Sequence, residues 1–134
     1  MRKTWYMPDP KPEHLAMVQG VITRMAGNSF LLKGWAVTLV AGLTALAKTG
    51  AHQHVAWIAC GVVVVFAFLD AMYLAVERAY RVLYDNVVAG SATTWSLKAQ
   101  GLSVGRFLRA LFSWSVLPLY GAMVIGAGLI ALGV

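Results

Sequence analysis

The chain has 134 residues and a formal net charge of +6, with 60% hydrophobic and only 12% charged residues. Ordinary soluble domains hold about 45–50% apolar and about 25% charged residues, so a soluble fold of this length could not bury its apolar side chains. The eleven Lys and Arg residues fall mainly in residues 2–33 and 78–109, as in the flanks of membrane spans, and do not form one nucleic-acid-binding patch. Composition therefore predicts an integral membrane protein whose partner is the lipid bilayer, with no nucleic acid.

Residues 1–27 are predicted to form a cytosolic arm followed by a short amphipathic helix. Three prolines within residues 8–12 exclude a regular helix in the arm, and no apolar stretch typical of a signal peptide follows the first basic residues. From Glu13 onward, apolar residues recur every three or four positions. This helix either lies in the membrane interface or extends the first span into the cytosol.

Residues 28–76 are predicted to form a transmembrane hairpin. Each of its two apolar segments is close to the ~20 residues that cross a bilayer core. The polar connection at 48–54 is so short that the second helix must return antiparallel to the first.

Residues 77–109 are predicted to form a basic, largely helical cytosolic connection, and residues 110–134 a third transmembrane helix. The helix of the second span should continue to Asp85 and end at Ala89-Gly90-Ser91. Pro118 should kink the third span.

Together these elements predict an all-α membrane protein with three transmembrane helices. By the positive-inside rule its N-terminus is cytoplasmic, which fits a multi-pass protein of the bacterial inner membrane.

Asp70 is an acid inside the second predicted span. Counting residues outward from the hairpin loop puts it level with Lys33, and puts Arg24 level with Glu77 and Arg78. A charge at the centre of a membrane helix costs about 2.5–3.5 kcal/mol on insertion scales, and pairing offsets part of that cost. Asp70 could pair with Lys33 and fix the hairpin register, line a pore as part of an acidic ring in a homo-oligomer, or relay protons. A relay would need further intramembrane ionisable groups, which the sequence does not show.

Two other sets of residues are candidates for contacts. The cytosolic surface is expected to bind a partner protein through Arg24, Glu77, Arg78, Arg81, Tyr84 and Asp85. Small residues spaced four apart form smooth helix faces that favour close packing within the membrane or between copies of the chain. These are Ala67, Ala71 and Ala75 on the second helix and Ala122 and Gly126 on the third.

No catalytic, cofactor or metal site is predicted. Cys60 stands alone in an apolar segment, which excludes an intramolecular disulfide and a multi-cysteine metal site. The two loop histidines lack the spacing and carboxylate neighbours of a metal site. Ser29, Ser113 and Ser115 have no His and acid at a suitable depth, so an enzyme is not expected.

Two stretches carry a resemblance to known membrane proteins: Asn28-Ser-Phe-Leu-Leu-Lys-Gly-Trp35, and Leu69-Asp70-Ala-Met-Tyr-Leu74 with the polar residues that follow it. Over residues 28–88 the chain resembles the two-transmembrane (SLATT-like) effectors of bacterial antiviral defence that are associated with nucleotide second messengers. The resemblance implies a pore-forming or membrane-perturbing role triggered by a cytosolic partner. The third span and the lack of a sensor domain depart from that family's simplest form, so direct ligand sensing is not part of the expectation.

The leading prediction is a homo-oligomeric membrane effector or ion-conducting pore subunit, controlled by a cytosolic partner and serving in antiviral defence. A non-conducting membrane anchor for a soluble partner protein is the alternative. A phage holin is a third possibility, which the cytoplasmic N-terminus and the lack of a charged C-terminal tail speak against.

Overall fold

The computed structural model describes residues 12–49, 54–91 and 97–133, and over these residues the chain is all-helical. The described residues contain four helices: α1 (Pro12–Lys48), α2 (His54–Val88), α3 (Val104–Leu111) and α4 (Leu117–Ala131). Residues 1–11 of the proline-rich arm, 50–53 of the loop between α1 and α2, 92–96 and the final residue lie outside the described residues.

The first helix is one continuous element of 37 residues, so the segment after the arm extends the first apolar segment and is not a separate amphipathic helix. No proline or side-chain cap interrupts the helical hydrogen bonds after Pro12. The two glycines in this region, Gly20 and Gly27, each cost about 1 kcal/mol relative to alanine, which does not break so long a helix.

The helices α1 and α2 pack as an antiparallel hairpin. Ala36 and Val40 contact the cluster around Val63, whereas the earlier Lys33 meets the later Asp70, so residue numbers rise in one helix as they fall in the other. Both helices are long and apolar enough to cross a membrane.

The second helix ends where the sequence predicts. Gly90 adopts a φ of 70°, and the amide of Ser91 donates to the carbonyl of Asn86 across it. A residue with positive φ after the last helical turn is usually glycine, because other side chains are strained there. Asp85 therefore lies within α2, close to its end.

The prediction of one kinked helix over residues 110–134 is wrong. A turn over residues 112–116 separates α3 from α4, and Pro118 lies in the first turn of α4. The first-turn amides of a helix have no intrahelical partner, so a proline begins a helix there and does not kink it. The 15 residues of α4 extend about 22 Å. This is shorter than a bilayer core, which is about 30 Å thick and takes about 20 helical residues to cross.

Large apolar side chains point outward from the packed helices, and small or polar ones lie between them. Phe30 is 76% exposed, and Trp35 and Val64 are also exposed. The largest side chains with less than 2% exposure are Val18, Val63, Val116 and Asp70. In water, aromatic and large aliphatic residues are usually the buried ones. Small buried residues and large exposed ones are typical of helices that pack in apolar surroundings.

Candidate functional site

The structure brings Lys33 of α1 and Asp70 of α2 into direct contact. The Lys33 Nζ atom lies 2.5 Å from Oδ2 of Asp70. Asp70 is completely buried, and the Lys33 side chain is 21% exposed. The depth count from the loop therefore identified an ion pair that links the two long helices.

Ser29 joins this pair and closes a three-membered network. Its hydroxyl donates a short hydrogen bond to Oδ1 of Asp70, and Lys33 Nζ donates to Ser29 Oγ over 2.8 Å. Ser29 precedes Lys33 by four residues, so the two side chains lie on the same face of α1. Ser29 is itself buried, which leaves Lys33 as the network's exposed member among these three.

A fourth polar side chain reaches the network from α4. Tyr120 is buried beside Ala36 and Val63, and its hydroxyl lies next to the Asp70 carboxylate without a well-oriented hydrogen bond to any described residue. Three helices therefore meet around one carboxylate. We define the polar network as Ser29, Lys33, Asp70 and Tyr120.

The chemistry of the polar network is that of a neutralised, sealed charge. The Ser29 hydroxyl donates to Oδ1 of Asp70, and the Lys33 ammonium forms an ion pair with Oδ2, which accepts no hydrogen bond from a described residue. A carboxylate that lined a water-filled pore would be exposed along one side, and Asp70 has no exposed surface in the single chain.

The predicted partner-binding residues lie beyond the polar network, and only two of them contact each other. Glu77 is buried and accepts two hydrogen bonds from Arg81, at 2.6 and 2.8 Å. Arg24 is exposed and points back to the carbonyl of Gly20, 3.4 Å away, so its predicted depth match with Glu77 does not lead to a contact.

The other three members of that set do not form one cluster. The guanidinium of Arg78 turns toward α3 and lies 3.4 Å from the carbonyl oxygen of Arg109. Tyr84 is half-buried and Asp85 is exposed. The set is thus a dispersed polar surface.

The small-residue face of α2 is used within the chain. Ala71 and Ala75 are buried against Ala110 of α3, with Phe107 packed beside them. The Phe107 ring also contacts Phe68 of α2, with 4.9 Å between the ring centroids. This explains why small residues recur on that face: they let α3 approach.

The other small residues pack less closely. Ala67 is partly buried at the edge of the cluster that holds Val63 and Tyr120. Ala122 is exposed, and Gly126 lies in an open groove between α1 and α4. The small-residue face of α2 is therefore covered within the chain and that of α4 is largely open, although their sequence patterns are alike.

Sequence reasoning set Ser29 aside and did not consider Tyr120. Ser29 could have been found from its position four residues before Lys33, but Tyr120 depends on how α4 docks. No group of three or more potential metal ligands occurs in the described residues. Comparisons with protein-family models, curated proteins and solved structures give no match to this chain.

Proposed function

We propose that the protein is a non-conducting membrane anchor that holds a soluble partner at the cytosolic face of a bilayer. The observation that carries this proposal is the length of the hairpin. At 1.5 Å per residue, the 37 residues of α1 and the 35 of α2 extend about 55 and 52 Å. A bilayer core is only about 30 Å thick, so roughly 20 Å of each helix extends beyond it.

The surplus lies at one end of the hairpin. The apolar part of each helix is next to the loop between α1 and α2, and the charged residues follow at the opposite end. We define residues 12–27 and 77–88 as the stalk. The stalk combines a buried interior that contains Val18 and Ile22 with an exposed surface that includes Arg24 and Asp85. A rigid helical pair that stands clear of the lipid is suited to binding a protein.

The polar network supports an anchoring role over a conducting one. Asp70 is neutralised within its own chain, and an ion pair between two helices fixes their register. This burial is why the anchor takes precedence over the pore predicted from the sequence. The basic residues near the stalk give its end a cytoplasmic orientation by the positive-inside rule.

Site-specific photo-crosslinking in cells tests the anchor. A photoreactive amino acid placed at Arg24 or Asp85 should give discrete adducts with a soluble protein. The same group at Val64, which is exposed on the apolar part of α2, is the matched control and should give none. Absence of adducts from both stalk positions, or the same adducts from Val64, would contradict the proposal.

A pore built from several copies is the second candidate, and one observation favours it. Small and apolar residues of α1 and α4, among them Ala41 and Gly126, line an open groove of about 260 Å³ that could receive a helix of another copy. Such a pore would fit the resemblance to two-transmembrane effectors. Current across planar bilayers distinguishes the two functions. The anchor predicts no current, whereas a current that changes with Asp70→Asn would support the pore and contradict the anchor.

A further inference from the structure

Three arginines line one cavity where α3 packs against α2. The cavity has a volume of about 170 Å³, and its floor is formed by apolar side chains of α2, Ala75, Ala79 and Val82. Its walls carry Arg78 of α2, Arg106 and Arg109 of α3, and Gln100 from the preceding segment. We call this the arginine cavity.

The positive charge in the arginine cavity is not neutralised by the described part of the chain. Of the described acids of α2, Asp70 pairs with Lys33, Glu77 pairs with Arg81, and Asp85 does not line the cavity. No carboxylate lines the cavity. Three guanidinium groups at one site repel each other, so the site favours an anion that accepts from several of them.

One arginine is already held in place. Arg106 donates to the carbonyl of Gly101 over 2.8 Å and to the Gln100 side chain over 2.6 Å. Arg78 makes only a long contact of 3.4 Å with the backbone of Arg109. Since a guanidinium carries five N–H donors, Arg78 and Arg109 retain most of theirs for a ligand.

An exposed apolar stripe lies on α3 and just after it. Val104, Leu108 and Phe112 are exposed at spacings of four residues, and Trp114 is 91% exposed. Val104 and Leu108 share α3 with Arg106 and Arg109, and Phe112 and Trp114 follow directly, so this short segment offers cationic and apolar contacts. A free phosphate ion would use only the cationic contacts, whereas a phospholipid would use both.

The position of the cavity along α2 fits the same ligand. Its floor runs from Ala75 to Val82, which is where the apolar part of α2 gives way to the stalk. If α2 crosses a bilayer as proposed, this level coincides with the cytosolic headgroups. Basic pockets between helices on that side of a membrane are suited to acidic headgroups.

We propose that the arginine cavity binds the phosphate headgroup of an anionic phospholipid, with the acyl chains along the apolar stripe of α3. The inference rests on the membrane placement of the hairpin but not on a protein partner, so it stands or falls separately from the anchor.

Native mass spectrometry of the full chain in detergent tests the site, with phosphatidylglycerol and phosphatidylcholine of identical acyl chains as probes. The chain should retain phosphatidylglycerol in preference to phosphatidylcholine. Each arginine near a membrane surface contributes about a fivefold gain in affinity, so Arg78→Gln with Arg109→Gln should weaken phosphatidylglycerol binding about 25-fold. These two changes leave the hydrogen bonds of Arg106 in place.

Arg24→Gln is the matched control, because it removes an exposed arginine of α1 that does not line the cavity. It should change binding less than about twofold, because Arg24 does not line the cavity and its guanidinium contacts the carbonyl of Gly20. Equal losses in the control and the double variant would show general charge attraction and overturn the site. Inorganic phosphate that binds as tightly as phosphatidylglycerol would overturn the lipid assignment. If the glutamine variants lose helical circular dichroism, Arg78→Lys with Arg109→Lys replaces them. Unchanged phosphatidylglycerol binding in this lysine variant, together with equal binding of phosphatidylglycerol and phosphatidylcholine, would also refute the proposal.

Discussion

Lys33→Met and Asp70→Val, made singly and together, measure what the buried ion pair contributes to the hairpin. Without Lys33, the carboxylate of Asp70 keeps the Ser29 hydroxyl but no opposite charge, in a position with no exposed surface. Removing one partner of a buried pair costs about 3–5 kcal/mol, because the remaining charge stays unpaired. We expect Lys33→Met to lower the free energy of unfolding by an amount in that range.

The reverse change should cost less. The Lys33 side chain is 21% exposed and long, so after Asp70→Val its ammonium can reach toward the headgroups. We expect a loss of about 1–3 kcal/mol. The double variant has no buried charge at this site. Its free energy of unfolding should therefore lie within about 1 kcal/mol of that of the original chain. The two sites therefore carry a coupling energy of about 3 kcal/mol or more.

The assay is unfolding in mixed micelles by titration with sodium dodecyl sulfate, followed by far-ultraviolet circular dichroism. Lys48→Met, at the exposed end of α1, is the control for loss of a lysine and should change the free energy of unfolding by less than about 0.5 kcal/mol. If the double variant loses the sum of the two single losses, Lys33 and Asp70 do not stabilise each other and the reasoning is refuted.

Three other variants test the packing by the same titration. Ser29→Ala should cost about 1 kcal/mol because it removes the hydroxyl that donates to Asp70, and an unchanged midpoint would contradict that bond. Ala75→Leu should cost about 1–3 kcal/mol by forcing α3 away, whereas Ala122→Leu, which is exposed, should be nearly neutral; equal effects would argue against the packing of α3. Pro118→Ala should change stability by less than about 0.5 kcal/mol, since this proline begins a helix, and a marked gain in helicity would instead indicate a kink.

The hairpin and its ion pair were predictable because charges are rare in apolar helices. A lysine and an aspartate at matching distances from a short loop have few partners other than each other. The same count puts Arg24 level with Glu77, but these two side chains do not contact each other. At the stalk, Arg81 is one helical turn from Glu77 and therefore reaches it within the same helix.

The third apolar segment shows where sequence reasoning failed. The run of apolar residues around Pro118 predicts one span with a kink, although proline near the start of a helix is equally typical. The turn at 112–116 contains no glycine or proline, so composition alone gave little indication of a break. The docking of α3 and α4 decides which small-residue face is covered, and this long-range packing also brings Tyr120 to Asp70.

A hairpin that crosses a bilayer with its stalk in water underlies both the anchor and the lipid site. Single cysteines at Val64 and Asp85, introduced after Cys60→Ala, report this when intact membranes are treated with a water-soluble maleimide. Val64 is exposed on the apolar part of α2 and Asp85 on the stalk, so both thiols would be open to solvent in a soluble protein. We predict rapid labelling of Asp85→Cys in inside-out vesicles and labelling of Val64→Cys only after denaturation. Equal labelling of the two in intact membranes would contradict a membrane-spanning hairpin.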